Sequence, residues 1–141
     1  MLYFDHNATT PLCASAKDAW VDAIDRYVGN PSSPHRIGAR AERAMADARD
    51  KLAGFLGCSP LDIVWTSGAT ESNNLVLHHC AQALDGDKEV WITAIEHPCV
   101  IEATRTHFPN RYKTLPVNST GVLDLVVLKQ KLTKEKPGLI A

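Results

Sequence analysis

The sequence predicts an α/β protein with a mainly parallel sheet and flanking helices. Three observations carry this: short β-branched and aromatic runs alternate with longer helical patterns, turn signals separate the two, and no repeat or low-complexity stretch interrupts the alternation. Helical patterns cover residues 11–27, 35–56, 71–84, 98–107 and 123–133. Pro11 suits a first helical position, and Gly121 precedes a helix with Leu125, Leu128 and Leu132 on one face. Strand patterns cover 62–66, 89–95 and 112–117, and a further one begins at Gly138-Leu139-Ile140-Ala141. Asp85-Gly86-Asp87 and Asn118-Ser119-Thr120-Gly121 are the turns between them, and Asn30-Pro31-Ser32-Ser33-Pro34 is a loop by composition.

At 141 residues the chain is one domain's worth, and 45% apolar with 22% charged residues suits a globular protein. A net charge of -1 gives no electrostatic case for nucleic acid or an anionic membrane. The apolar runs are too short to span a bilayer, and the first residues lack a signal-peptide pattern, so a cytoplasmic protein is expected. Cys13, Cys58, Cys80 and Cys99 form no Cys-x-x-Cys pair, and the histidines have no paired metal spacing. Free thiols in a reducing compartment, and no metal, are expected.

The stretch Thr66-Ser67-Gly68-Ala69-Thr70-Glu71-Ser72-Asn73-Asn74 is the most informative. It follows Asp62-Ile63-Val64-Trp65, which reads as a buried strand, and precedes Leu75-Val76-Leu77 and Ala81, which suit the buried face of a helix. A strand that turns into a helix through such residues leaves several N–H groups aimed at one spot. With the helix dipole and the Ser67 and Thr70 hydroxyls they make an anion site, most naturally for a phosphate. Gly68 lets backbone approach a ligand with no Cβ between them. Taken alone, the nine residues read equally well as an ordinary capped helix start.

The stretch does not stand alone. Tyr3-Phe4-Asp5-His6-Asn7-Ala8-Thr9-Thr10-Pro11 precedes it, then Gly29-Asn30-Pro31-Ser32-Ser33-Pro34-His35, and Glu96-His97-Pro98-Cys99-Val100 follows. These four blocks, in this order and spacing, resemble the N-terminal portion of cysteine desulfurases, pyridoxal-phosphate enzymes of the class V aminotransferase family. The resemblance runs from residue 3 to the last residue, and selenocysteine lyases share much of the pattern. It implies the large domain of a fold type I pyridoxal-phosphate transferase, incomplete here over 16–141, with residues 1–15 as an N-terminal arm segment.

By resemblance, Ala69 and Thr70 contact the phosphate of pyridoxal 5'-phosphate beside Gly68, and His97 stacks on its ring as a catalytic residue. Asn7 and Thr9 are substrate-side candidates. The implied activity takes sulfur from L-cysteine, leaving L-alanine and an enzyme-bound persulfide. The sulfur then passes to an acceptor or iron–sulfur scaffold protein, for cluster assembly or thiolation, from a homodimeric enzyme. No lysine matches the family's Ser-x-His-Lys signature, which holds the Schiff-base Lys. The family's persulfide-forming Cys lies in a later loop, so Cys99 is not assigned that role. Residues 1–141 are therefore expected to be inactive by themselves and poorly stable. The alternative is a non-catalytic or split module that binds the cofactor or another phosphate ligand.

Overall fold

The computed structural model describes residues 2–141 as two compact units, one ending at Val64 and the other spanning Trp65–Ala141. In the N-terminal unit, α1 (Ala14–Arg26) starts three residues beyond Pro11, after the N-cap residue Cys13, whose side chain makes no cap bond. None of its residues is buried, and Trp20, Val21 and Ile24 stay exposed. Helix α2 (Arg36–Leu56) is capped by His35, whose Nδ1 accepts the Gly38 N–H at 3.1 Å. Asn30 closes the preceding loop by accepting the Ser32 N–H on its side chain and the Ser33 N–H on its carbonyl. That loop packs so closely on Gly38 that a Cβ there would lie 2.3 Å from the Ser33 carbonyl oxygen.

The strand expected over 62–66 is absent. Ser59-Pro60-Leu61-Asp62 instead forms a capping box on a short 3-10 helix, Pro60–Asp62. Ser59 Oγ accepts the Leu61 N–H, and the Asp62 carboxylate accepts the Ser59 N–H at 3.0 Å. Reciprocal local bonds of this kind hold backbone that a ladder would otherwise claim. Residues 63–66 then run on outside any strand, with Val64 and Trp65 exposed rather than buried.

The second unit carries α3 (Ala69–Ala83), β1 (Val90–Thr93), α4 (Pro98–His107), β2 (Tyr112–Leu115), α5 (Leu125–Lys134) and β3 (Leu139–Ile140). The strands form one parallel sheet in the order β2-β1-β3. Val90 pairs with Tyr112 on one side and Leu139 on the other. Alternate side chains of β1 leave by opposite faces. Val90 and Ile92 enter a core with Leu77, Ala103 and Phe108, while Trp91 is also buried and gives its indole N–H to Glu89. Of the four residues expected on the buried face of α3, Leu77 is buried and Ala81 packs against the core, whereas Leu75 and Val76 are exposed. On α5, Leu125 is likewise exposed.

The predicted turns are present. Asn118 Oδ1 collects the Thr120 and Val122 N–H groups, and Gly121 takes the left-handed φ of +78° that completes the turn. Among the described residues no helix is long and apolar enough to cross a membrane.

Candidate active site

The N-terminus of α3 is built around the Gly68 carbonyl. It accepts the Ser72 N–H at 3.1 Å, the first bond of the helix, and also the hydroxyls of Thr66 and Ser72 at 3.3 Å each. The two hydroxyls lie 2.7 Å apart and brace one another. With this carbonyl turned into the helix, the N–H groups of Ala69, Thr70 and Glu71 open outward with no intrahelical acceptor. The Thr70 hydroxyl has no partner among the described residues. The backbone of Gly68 is extended, and a Cβ built there meets nothing within 4 Å, so open space adjoins it.

Ser67 is committed elsewhere. Its N–H and hydroxyl both donate to Glu71 Oε2, at 2.7 and 2.6 Å. The hydroxyl, then the N–H, holds the Glu71 carboxyl below the usual glutamate range. The anion site read from the sequence thus loses one hydroxyl, while the donors of Ala69 and Thr70 stay open.

His97 reaches the same place from the carboxyl end of β1. Thr93, the last residue of that strand, donates its hydroxyl to Glu96 at 2.5 Å and ties the connecting turn. Pro98 then starts α4 with its fixed φ. His97 is the cap, its Nδ1 accepting the Cys99 N–H at 3.2 Å. Ser67, Gly68, Ala69, Thr70, Glu71, Asn73, His97 and Cys99 line one cavity of about 500 Å³.

Two residues not assigned a role from the sequence join this wall. Cys99 Sγ lies 3.0 Å from His97 Nδ1, and Asn73 Nδ2 donates to the same sulfur at 3.2 Å. A second link between α3 and α4 joins Asn74 to His107 at 2.6 Å. The cysteine was visible beside His97, but Asn73 is 26 residues away from it and no local pattern pairs them.

Asn7 and Thr9 belong to the N-terminal unit and are exposed. Asn7 lies in a turn, and the Thr9 N–H bonds to the Asp5 carbonyl while its own carbonyl accepts the Tyr3 hydroxyl. Among the described residues no group of three or more histidines, cysteines or carboxylates is placed to hold a metal.

The class-V aminotransferase profile matches residues 2–141. The chain belongs to this family. Its members depend on pyridoxal phosphate. Cysteine desulfurase IscS of Rickettsia bellii is 38% identical over 138 residues, covering 95% of this chain and 34% of its own length. The human cysteine desulfurase is 39% identical over 132 residues, covering 91% of this chain and 29% of its own. A solved NifS-like protein superposes with a TM-score of 0.74 at 37% identity, over 92% of this chain and 36% of that one. A structure described as SspA in complex with cysteine gives a TM-score of 0.73 at 26% identity, over 98% and 40%. This class-V aminotransferase chain therefore spans about a third of the length of the curated relatives it matches.

The residues present fit the family's cofactor on one flank. Open N–H groups at a helix start with a free hydroxyl and open space suit a phosphate, and an imidazole lining the same cavity suits a flat ring.

Proposed function

We propose that this chain supplies the phosphate cup and one ring-facing wall of a pyridoxal-phosphate-dependent cysteine desulfurase. The observation that carries the reading is the meeting of the α3 start and His97 on one cavity. In this reading the N–H groups of Ala69 and Thr70 and the Thr70 hydroxyl bind the phosphate. Gly68 lets it approach, and the Glu71 carboxylate is kept aside by Ser67. The His97 imidazole lies against the cofactor ring and offers the cavity Nε2, the nitrogen that Cys99 leaves free. When bound, the cofactor supplies the electron sink that carbon–sulfur cleavage needs. The identities to named cysteine desulfurases, and a structural relative described with cysteine, support L-cysteine as the substrate.

The remaining assignments rest on the same kinship. L-alanine and a protein persulfide are the products, with a sulfur acceptor or iron–sulfur scaffold as partner and a homodimer as the working form. Asn7 and Thr9 are substrate-side candidates by the same kinship, with residues 1–15 as an arm segment and 16–141 as part of the large domain. Four free cysteines suit a reducing compartment such as the cytoplasm.

Titrating the isotopically labelled chain with pyridoxal phosphate tests the cup. Saturable shifts of the Gly68, Ala69 and Thr70 amides and the His97 ring, reversed by excess inorganic phosphate, are the expected result. Unmoved amides would sink the reading. For the activity, residues 1–141 with added cofactor should release no alanine from cysteine, and alanine formation would overturn that expectation.

A further inference from the structure

We infer that Cys99 and Asn73 are positioning residues for His97: they hold its neutral ring with Nδ1 unprotonated, so that it meets the cavity as an Nε2–H donor. The inference rests on the functional reading above only for what the donor serves, since the ring geometry stands by itself.

The direction of each bond follows from the donors. A backbone N–H can only donate, so the Cys99 N–H, 3.2 Å from Nδ1, requires a lone pair there. A neutral imidazole with a lone pair on Nδ1 carries its proton on Nε2. Cys99 Sγ is 3.0 Å from the same Nδ1, so the thiol proton points at the ring. The sulfur then keeps its lone pairs for the Asn73 amide, which donates at 3.2 Å. Asn73 to Cys99 to His97 is one chain of donors running in one direction, and it ends on Nε2–H, which has no partner among the described residues.

The consequence for chemistry is specific. While both bonds to Nδ1 persist, Nε2 holds a proton and cannot take one, so His97 acts toward the cavity as a hydrogen-bond donor. The chain of donors also links α3 to α4. The helix that presents the Ala69 and Thr70 donors is thereby tied to the imidazole that lines the same cavity.

The test is a long-range proton–nitrogen spectrum of the histidine rings in the 141-residue chain. It is taken at pH ~7.5, about a unit above the ordinary histidine value and about a unit below the ordinary thiol value, so that the thiol proton is kept. His97→Asn assigns the signal. The wild-type ring is expected as the Nε2–H tautomer. Cys99→Ala leaves only the backbone donor, and the tautomer ratio should fall about fivefold, the weight of one ordinary hydrogen bond. Cys99→Ser restores a donor at the same place and should recover the ratio, which a purely space-filling role for the cysteine would not do. Asn73→Ala should move the ratio in the same direction as Cys99→Ala. A wild-type ring in the Nδ1–H form, or a ratio unmoved by Cys99→Ala, overturns the inference. None of these spectra needs the cofactor, so this result and the titration above succeed or fail separately.

Discussion

Removing the Phe108 ring tests whether one small core fixes the geometry of the site. Phe108 is fully buried where α4 ends, packed with Leu77 of α3, Val90 and Ile92 of β1, and Ala103 of α4. Two of those neighbours sit on the central strand, held by hydrogen bonds on both edges, so the wall cannot collapse into the space left behind. Phe108→Ala should therefore cost near the top of the range for such changes, about 4 kcal/mol. Against a total of about 5–15 kcal/mol for an ordinary domain, that loss is severe. Phe108→Leu keeps much of the volume but gives up the contact with the Arg111 guanidinium, 5.1 Å from the ring centroid. It should cost about 1 kcal/mol. Urea unfolding followed by tryptophan fluorescence reads both, because Trp91 is fully buried in this unit. With a slope of about 1–2 kcal/mol per molar urea, the alanine variant should lose about 2–4 M in midpoint. Equal midpoints for the two variants, or an alanine midpoint within about 0.5 M of wild type, would refute the packing argument.

Gly68→Ala should leave the melt unchanged, within about 0.5 kcal/mol, because its backbone is extended and a Cβ meets nothing. The same change should weaken pyridoxal-phosphate binding in a fluorescence titration, since the methyl enters the space beside the cup. Gly38→Ala should destabilise the N-terminal unit by about 1–3 kcal/mol in a denaturant melt, because its Cβ would strike the Ser33 and Asn30 carbonyl oxygens. Glu71 has a lowered carboxyl pKa, so its hold on Ser67 is present at neutral pH and through the ordinary glutamate range. That hold is lost only as the pH falls below the range. Amide exchange at Ser67 should rise there, and Glu71→Gln should remove the dependence.

The helices and the parallel sheet were legible because their signals are local. Leu77 and Ala81 stand one turn apart along α3, and Val90-Trp91-Ile92 is a short β-rich run bounded by turns. The apolar run 62–66 misleads because a run alone does not show whether a sheet edge is available to it. The Ser-Pro-Leu-Asp just before it was the better guide, a capping box written in four residues. In the candidate site, Gly68, Ala69 and Thr70 stand out because a helix start aims its open donors at one spot. His97 is singled out by the family resemblance and by itself reads as a helix cap, which it is. The link from Asn73 to Cys99 does not stand out, because it depends on how two helices meet in space. The fate of the Ser67 hydroxyl was hidden for another reason: Glu71 competes for it one turn away, and sequence alone does not decide which acceptor wins.

The order β2-β1-β3 also sets a sequence of events in time. Val90 must find Tyr112 about 20 residues downstream and Leu139 about 50 downstream. Closing the longer loop costs about 0.7 kcal/mol more in chain entropy, and a two-residue strand returns little for it. On a ribosome, β1, α4 and β2 therefore assemble first and carry His97 into place. The far side of β1 waits, unpaired and sticky, until the distal strand emerges to cover it.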